Sequence, residues 1–141
     1  MIDSFLTNYD TVCEANHIHF AAHLNVEYGR IPVDDYDLCI ILGNLLDNAL
    51  QANEKVDAQN KELLIEIETT ENNKFRVHAE NPIPKQSDAT EARNALHHGF
   101  GLENIKKVVR ENNGFFTINT AECFVVDILI PYIDTTDSFV R

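Results

Sequence analysis

Basic residues are scarce in this chain of 141 residues. Eleven lysines and arginines stand against 23 acidic residues, a formal charge of −12. Such a chain lacks the basic patch that a phosphate backbone requires, which excludes a general nucleic-acid binder. A nucleotide remains open to an acidic protein, because Mg²⁺ and backbone amides can supply local positive potential. No apolar run approaches membrane-spanning length, and no charged-then-apolar signal segment opens the chain. The three cysteines, Cys13, Cys39 and Cys123, are far apart and lack paired spacing. That excludes a disulfide framework or a spaced zinc site and suggests buried small hydrophobes in a reducing compartment. There is no G-K-[ST] phosphate loop and no three-glycine dinucleotide fingerprint, so any nucleotide site is neither of the P-loop nor of the Rossmann kind. There is no internal repeat. The length and the hydrophobic content of 44% suit one domain with one core.

The periodicities predict an α/β order. Ile2, Phe5, Leu6, Tyr9, Val12 and Cys13 recur at helical spacing. Ile18, Phe20, Ala22, Leu24 and Val26 then alternate with His17, His19, His23 and Asn25, as in a half-buried strand. Asp34 or Asp35 caps a helix running to about Asn53. Strands follow at Leu63 to Ile67 and Phe75 to Glu80, joined by a turn at Glu71 to Lys74. Asn81 to His98 is a long polar loop, of a length that is usually functional or disordered in so small a domain. A last helix spans Leu102 to Asn112, is closed by Asn113 and Gly114, and precedes strands at Phe115 to Asn119 and Cys123 to Pro131.

Two segments carry the chemistry. In the helix from Asp35 to Asn53, Leu38, Ile41, Leu42, Leu45, Leu46, Ala49 and Ala52 share a core-facing arc. Asn44, Asp47, Asn48 and Gln51 cluster on the other side, with Asn44 and Asn48 one turn apart. Asn and Asp each cost roughly half a kcal/mol in a helix interior. Either the face is simply solvated, or these are oxygen ligands facing a cleft. In the second segment, Gly99 and Gly101 bracket Phe100 at the start of a helix. Glycines there allow positive φ and close approach, and the first helical amides are free to hold phosphate. Alone, that pattern is equally a tight loop-to-helix turn.

Together, L-G-N-L-L-D-N-A-L from Leu42 and H-G-F-G-L-E-N-I-K from His98 resemble the N box and second glycine box of the ATP-binding catalytic domain of sensor histidine kinases. The resemblance covers about Ile2 to Ile133 and is nearest in wording to the Agr-type quorum-sensing peptide receptor kinases. It implies the Bergerat (GHKL) fold: a two-layer α/β sandwich with a mixed, mainly antiparallel sheet and helices on one face. Residues 1–133 would form the catalytic domain and 134–141 a frayed tail. The cofactors implied are ATP and Mg²⁺. Asn48 would be the magnesium ligand and Asn44 would line the phosphates. Gly99, Phe100, Gly101 and Leu102 would offer backbone amides, and Asn81 to His98 would form the ATP lid. Leu102 and Ile83 would wall the adenine.

The chain departs from the family twice. The D-x-G-x-G box that reads adenine is missing, as in the Agr-type branch. Ala79-Glu80-Asn81-Pro82-Ile83-Pro84 stands in its place, so the adenine hydrogen bond falls to Glu80 or Asn81 unless Asn81-Pro82 merely ends a strand. Asn44 also occupies the position where the ATPases and serine kinases of the fold carry a glutamate base. An amide takes no proton at neutral pH, whereas a neutral imidazole acceptor needs no base. The resemblance therefore implies phosphorylation of a histidine on a separate dimerisation domain, with a response regulator downstream. None of the six histidines here fits the acceptor role. The expected whole is a membrane-bound receptor whose cytoplasmic end this is, with Met1 a truncation or cloned start. Two other classes stand beside it: a degenerate nucleotide-binding scaffold, and a Bergerat-type ATPase or serine kinase.

Overall fold

The computed structural model describes residues 1–84 and 100–133. Three helices, α1 (Ile2–Ala15), α2 (Asp35–Asn53) and α3 (Phe100–Glu111), cover one face of a sheet. The strands are β1 (His19–Asn25), β2 (Glu62–Thr69), β3 (Lys74–Asn81), β4 (Phe115–Asn119) and β5 (Phe124–Pro131), in the order β1-β2-β3-β5-β4. Only the β1–β2 pair is parallel. This is the two-layer sandwich with a mixed, mainly antiparallel sheet that the sequence predicts.

Strand alternation builds the layer between. Leu63, Ile65 and Ile67 of β2, Phe75 and Val77 of β3, and Val126, Ile128 and Ile130 of β5 all point towards the helices and are buried. They meet Ile2, Leu6 and Cys13 of α1, Leu38, Ile41, Leu42, Leu45, Leu46 and Ala49 of α2, and Leu102, Ile105, Val108 and Val109 of α3. The predicted arc on α2 thus faces the core, except that Ala52 is only half-buried and Asn53 is fully buried. Cys39 is exposed, against the expectation that all three cysteines are buried; Cys13 is buried and Cys123 half-buried, and all are free. Burial, then the Asp10 charge, pushes the Cys13 thiol up, which suits an unreactive packing residue.

Helix ends explain two other positions. α1 and α3 both close in a Schellman turn. His17 N–H donates to Glu14 O at 3.2 Å and Ile18 N–H to Cys13 O at 2.8 Å; likewise Asn113 N–H donates to Arg110 O at 3.1 Å and Gly114 N–H to Val109 O at 2.8 Å. The left-handed residues are His17 (φ 57°) and Asn113 (φ 61°). His17 is therefore a helix cap and not part of the β1 face. Gly114 has no positive φ; space is what requires it. A Cβ there would lie 2.8 Å from Ile130 Cγ1, and 2.9 Å from both Leu129 O and Val109 Cγ1. At the other end, Asp34 caps α2 by accepting from Asp37 N–H at 2.7 Å.

Asn53 joins α2 to the sheet. Its Nδ2 donates to Ala49 O (2.9 Å) and Glu62 O (3.0 Å), and its Oδ1 accepts from Glu62 N–H (3.1 Å). All three bonds are within the protein, which is why a fully buried amide is tolerated. Replacing Asn53 with leucine should destabilise the domain by about 1–3 kcal/mol, since the backbone N–H and C=O of Glu62 lose their side-chain partner. Gly114→Val should cost at least as much through overpacking. Urea unfolding followed by far-UV circular dichroism measures both, and a midpoint unchanged from the parent would contradict the packing described.

Candidate functional site

The site lies where α2 crosses the start of α3. Gly101 sits in the first turn of α3, and a Cβ there would lie 2.9 Å from Asn44 Oδ1 and 3.4 Å from Asn44 Cβ and Cγ. Glycine is needed for close approach and not for φ, because no described glycine has positive φ. Asn44 is oriented from behind: its Nδ2 donates to Ile40 O at 2.7 Å, one turn back, which leaves Oδ1 toward α3. The amides of the first turn of α3 have no partner within their own helix and carry its positive dipole end. A carboxamide face and a helix mouth, about fifty residues apart in sequence, therefore touch.

One turn further along α2 is Asn48. Its Nδ2 is buried without a hydrogen-bond partner among the described residues, although the residue as a whole is half-buried. An unsatisfied buried amide costs roughly 1–3 kcal/mol, so the position is not explained by packing. Asn48 lines a slot with Leu45, Ala49, Ala52, Ala79, Asn81, Leu102, Phe124 and Val126. The walls are apolar and come from α2, α3, β3 and β5; the polar groups are the two carboxamides. The slot has ≈ 20 Å³ of free volume. Asp47, next to Asn48, turns to α1 instead, where its Oδ1 accepts from the Tyr9 hydroxyl at 2.7 Å. Burial of Tyr9, then that bond and the Asp47 charge, hold the phenol well above its usual range. The neutral phenol is the form the fold favours, so this tie is present below roughly pH 10 and weakens as the pH rises beyond it.

The pleat separates the two residues proposed to read adenine. Phe75, Val77, Ala79 and Asn81 share the helix-covered face of β3, and Ala79 and Asn81 reach the slot. Glu80 belongs to the opposite face with Arg76 and His78. Its Oε1 lies 3.0 Å from His78 Nε2, whose Nδ1 lies 2.7 Å from Asp127 Oδ1. Glu80 is therefore withdrawn from the site, because alternation turns it away. Asn81 stays, with its Nδ2 donating to Pro82 O at 3.2 Å. Ile83 lies just outside, half-buried, on a neighbouring open cleft with Pro82, Glu62 and Cys123. The expected lid lies mostly outside the described residues, as do Gly99, His97 and His98; Phe100 is described by its backbone.

The His78 cluster is the feature that the sequence reading missed. The alternation of Glu66, Arg76, His78, Glu80 and Asp127 with core residues was its signal: charged positions sharing one sheet face. Among the described residues no group of His, Cys, Asp and Glu is arranged to hold a metal ion. Of the histidines that alternate with the apolar residues around β1, His17 caps α1 while His19 and His23 are exposed on the strand.

Solved structures share this architecture. The catalytic domain of the histidine kinase ThkA matches with 21% identity over 93% of each chain and a TM-score of 0.63. The mycobacterial sensor histidine kinase MprB matches at 16% over 93% of this chain and 95% of that one, TM-score 0.63. The Acinetobacter baumannii histidine kinase AdeS matches at 14% over 94% of this chain and 66% of that one, TM-score 0.64. At these identities the likeness is one of fold. No curated protein matches the sequence significantly. The pattern of the GHKL domain, however, matches residues 33–131, a span that holds α2, α3 and the four strands from β2 onward. With the carboxamide helix and the glycine-opened helix in contact inside that span, the chain belongs to the GHKL-domain family.

Proposed function

We propose that this domain binds ATP with Mg²⁺ and transfers the γ-phosphoryl group to a histidine on a separate dimerisation and phosphoacceptor domain. The observation that carries the reading is Asn48 Nδ2, buried and without a partner among the described residues, on a slot shared with Leu102 of α3. A half-turn of that amide presents Oδ1, a hard oxygen ligand of the kind Mg²⁺ takes. Mg²⁺, when bound, neutralises phosphate charge. Asn44 lies on the phosphate side against Gly101, and the amides from Phe100 to Leu102 receive phosphate oxygens. Gly99 extends that row in the proposal. Ala49, Ala52, Ala79, Leu102 and Phe124 suit the flat faces of a purine, with Asn81 at its edge and Ile83 beyond.

An amide and not a carboxylate one turn before Asn48 supports histidine as acceptor. Asn44 holds the position one turn before Asn48, and its amide is tied to Ile40 O. Asp47 is engaged by Tyr9. An imidazole nucleophile needs neither, so positioning and charge neutralisation suffice. The wording of the two motifs supports an Agr-type quorum-sensing receptor kinase, with residues 1–133 as its cytoplasmic catalytic domain, a membrane-bound remainder, a response regulator downstream and 134–141 as a tail.

One observation favours a second reading, a degenerate domain that neither binds nucleotide nor does chemistry. The slot's ≈ 20 Å³ has room for about one water, so a purine enters only as the walls part. A domain that never opens would bind no nucleotide.

Titration calorimetry with ATP separates the two. The parent chain should bind more tightly with Mg²⁺ than without, and Asn48→Ala should weaken binding in Mg²⁺ about tenfold or more while erasing most of the metal dependence. Superimposable isotherms for the two proteins would remove Asn48 from the site. Gly101 gives an independent check. Its helical φ means an added Cβ gains up to about 1 kcal/mol of helix propensity, offsetting part of the clash with Asn44. Gly101→Ala should therefore unfold within about 1 kcal/mol of the parent yet bind Mg-ATP several-fold more weakly. Unaltered affinity would locate the phosphates elsewhere.

A further inference from the structure

We propose that the slot reads the six-position of a purine through the neutral carboxamide of Asn81, and so accepts 6-amino and 6-keto purine nucleotides with only modest preference for the amino form. The inference rests on the nucleotide reading above and names the substrate class of that same site. Its basis is the strand pleat. Glu80, the carboxylate at the end of β3, is held on the far face beside His78, and Asn81 is the β3 residue that brings a polar side chain to the slot.

The two purine edges differ by a reversal. A 6-amino purine offers an N–H donor at position six and an acceptor at N1; a 6-keto purine offers an acceptor at position six and an N–H donor at N1. A carboxylate only accepts, so at position six it suits the amino group and repels the keto oxygen. A carboxamide carries an acceptor and donors side by side and matches either edge after a half-turn.

Pro82 supplies the bias. The bond from Asn81 Nδ2 to Pro82 O occupies one donor and leaves Oδ1 as the end offered to a ligand. That orientation suits the amino purine. Flipping the amide for a keto purine would set Oδ1 against Pro82 O and lose the bond. One neutral hydrogen bond corresponds to roughly tenfold or less in affinity, so the preference for the amino form is of that size. Asn53, by contrast, cannot flip without breaking three bonds. Asn81 is tied by a single bond to the next residue, and its substitution leaves the core untouched.

The test is calorimetric titration of the full chain with ATP and with ITP, both in Mg²⁺, for the parent, Asn81→Asp and Asn81→Leu. The parent should prefer ATP by about tenfold or less. Asn81→Asp should keep ATP and widen the ratio about tenfold further, because a carboxylate repels the keto oxygen. Asn81→Leu should weaken both and bring them within about twofold of each other. The same ATP-to-ITP ratio in all three proteins, or a parent ratio above about a hundredfold, overturns the proposal. If that occurs while Asn48→Ala still abolishes the metal dependence, only the base-reading inference fails. If neither nucleotide binds the parent, the site reading fails with it.

Discussion

The seam between α2 and α3 organises the molecule. Gly101 has no side chain, so Asn44 Oδ1 can lie where a Cβ would otherwise stand. Because the helices meet there, the first-turn amides of α3 open beside the carboxamides of α2. Leu102, one residue on, is buried in the same layer and closes the slot. Few other arrangements bring partial positive charge and hard oxygen donors together in a chain of net charge −12.

The rest of the fold serves that crossing. Asn53 binds the C-terminal end of α2 to the start of β2, and Tyr9 holds Asp47 from α1, so α2 is fixed along its length. Gly114 lets α3 turn tightly onto β5, with Val109 and Ile130 closing around it. The sheet's helix-covered face is apolar, while its open face carries a cross-strand row in which Glu66, His78 and Asp127 are register partners. Two polar systems thus occupy opposite sides of β3: Asn81 in the slot, and His78 with Glu80 on the open face.

The slot itself is tight. Its walls are small alanines from α2 and β3 against Leu102 and Phe124, with Asn48 Nδ2 buried at the edge and unpaired among the described residues. A fully packed polar group without a partner is a standing cost, and relief of that cost favours any ligand that pairs it.

Much of this was legible in the amino acids. Periods of 3.6 and two located the three described α-helices and the five strands to within a residue or two, because core-facing side chains must recur at the spacing of their backbone. The helix with four polar amides and acids at its rim, and the glycines before α3, marked the candidate site for the same local reasons. What the chain alone left open were choices made by packing between distant segments. Asn81 and Glu80 are adjacent and chemically alike as hydrogen-bond acceptors; only the pleat of β3, set by its pairing with β2 and β5, decided which one meets the slot. Gly101 read as a residue giving positive φ or close approach to a ligand, whereas the crossing of α3 over Asn44 makes it one needed for its missing Cβ beside a side chain. Local periodicity determines elements; which atoms touch is a property of how the elements stack.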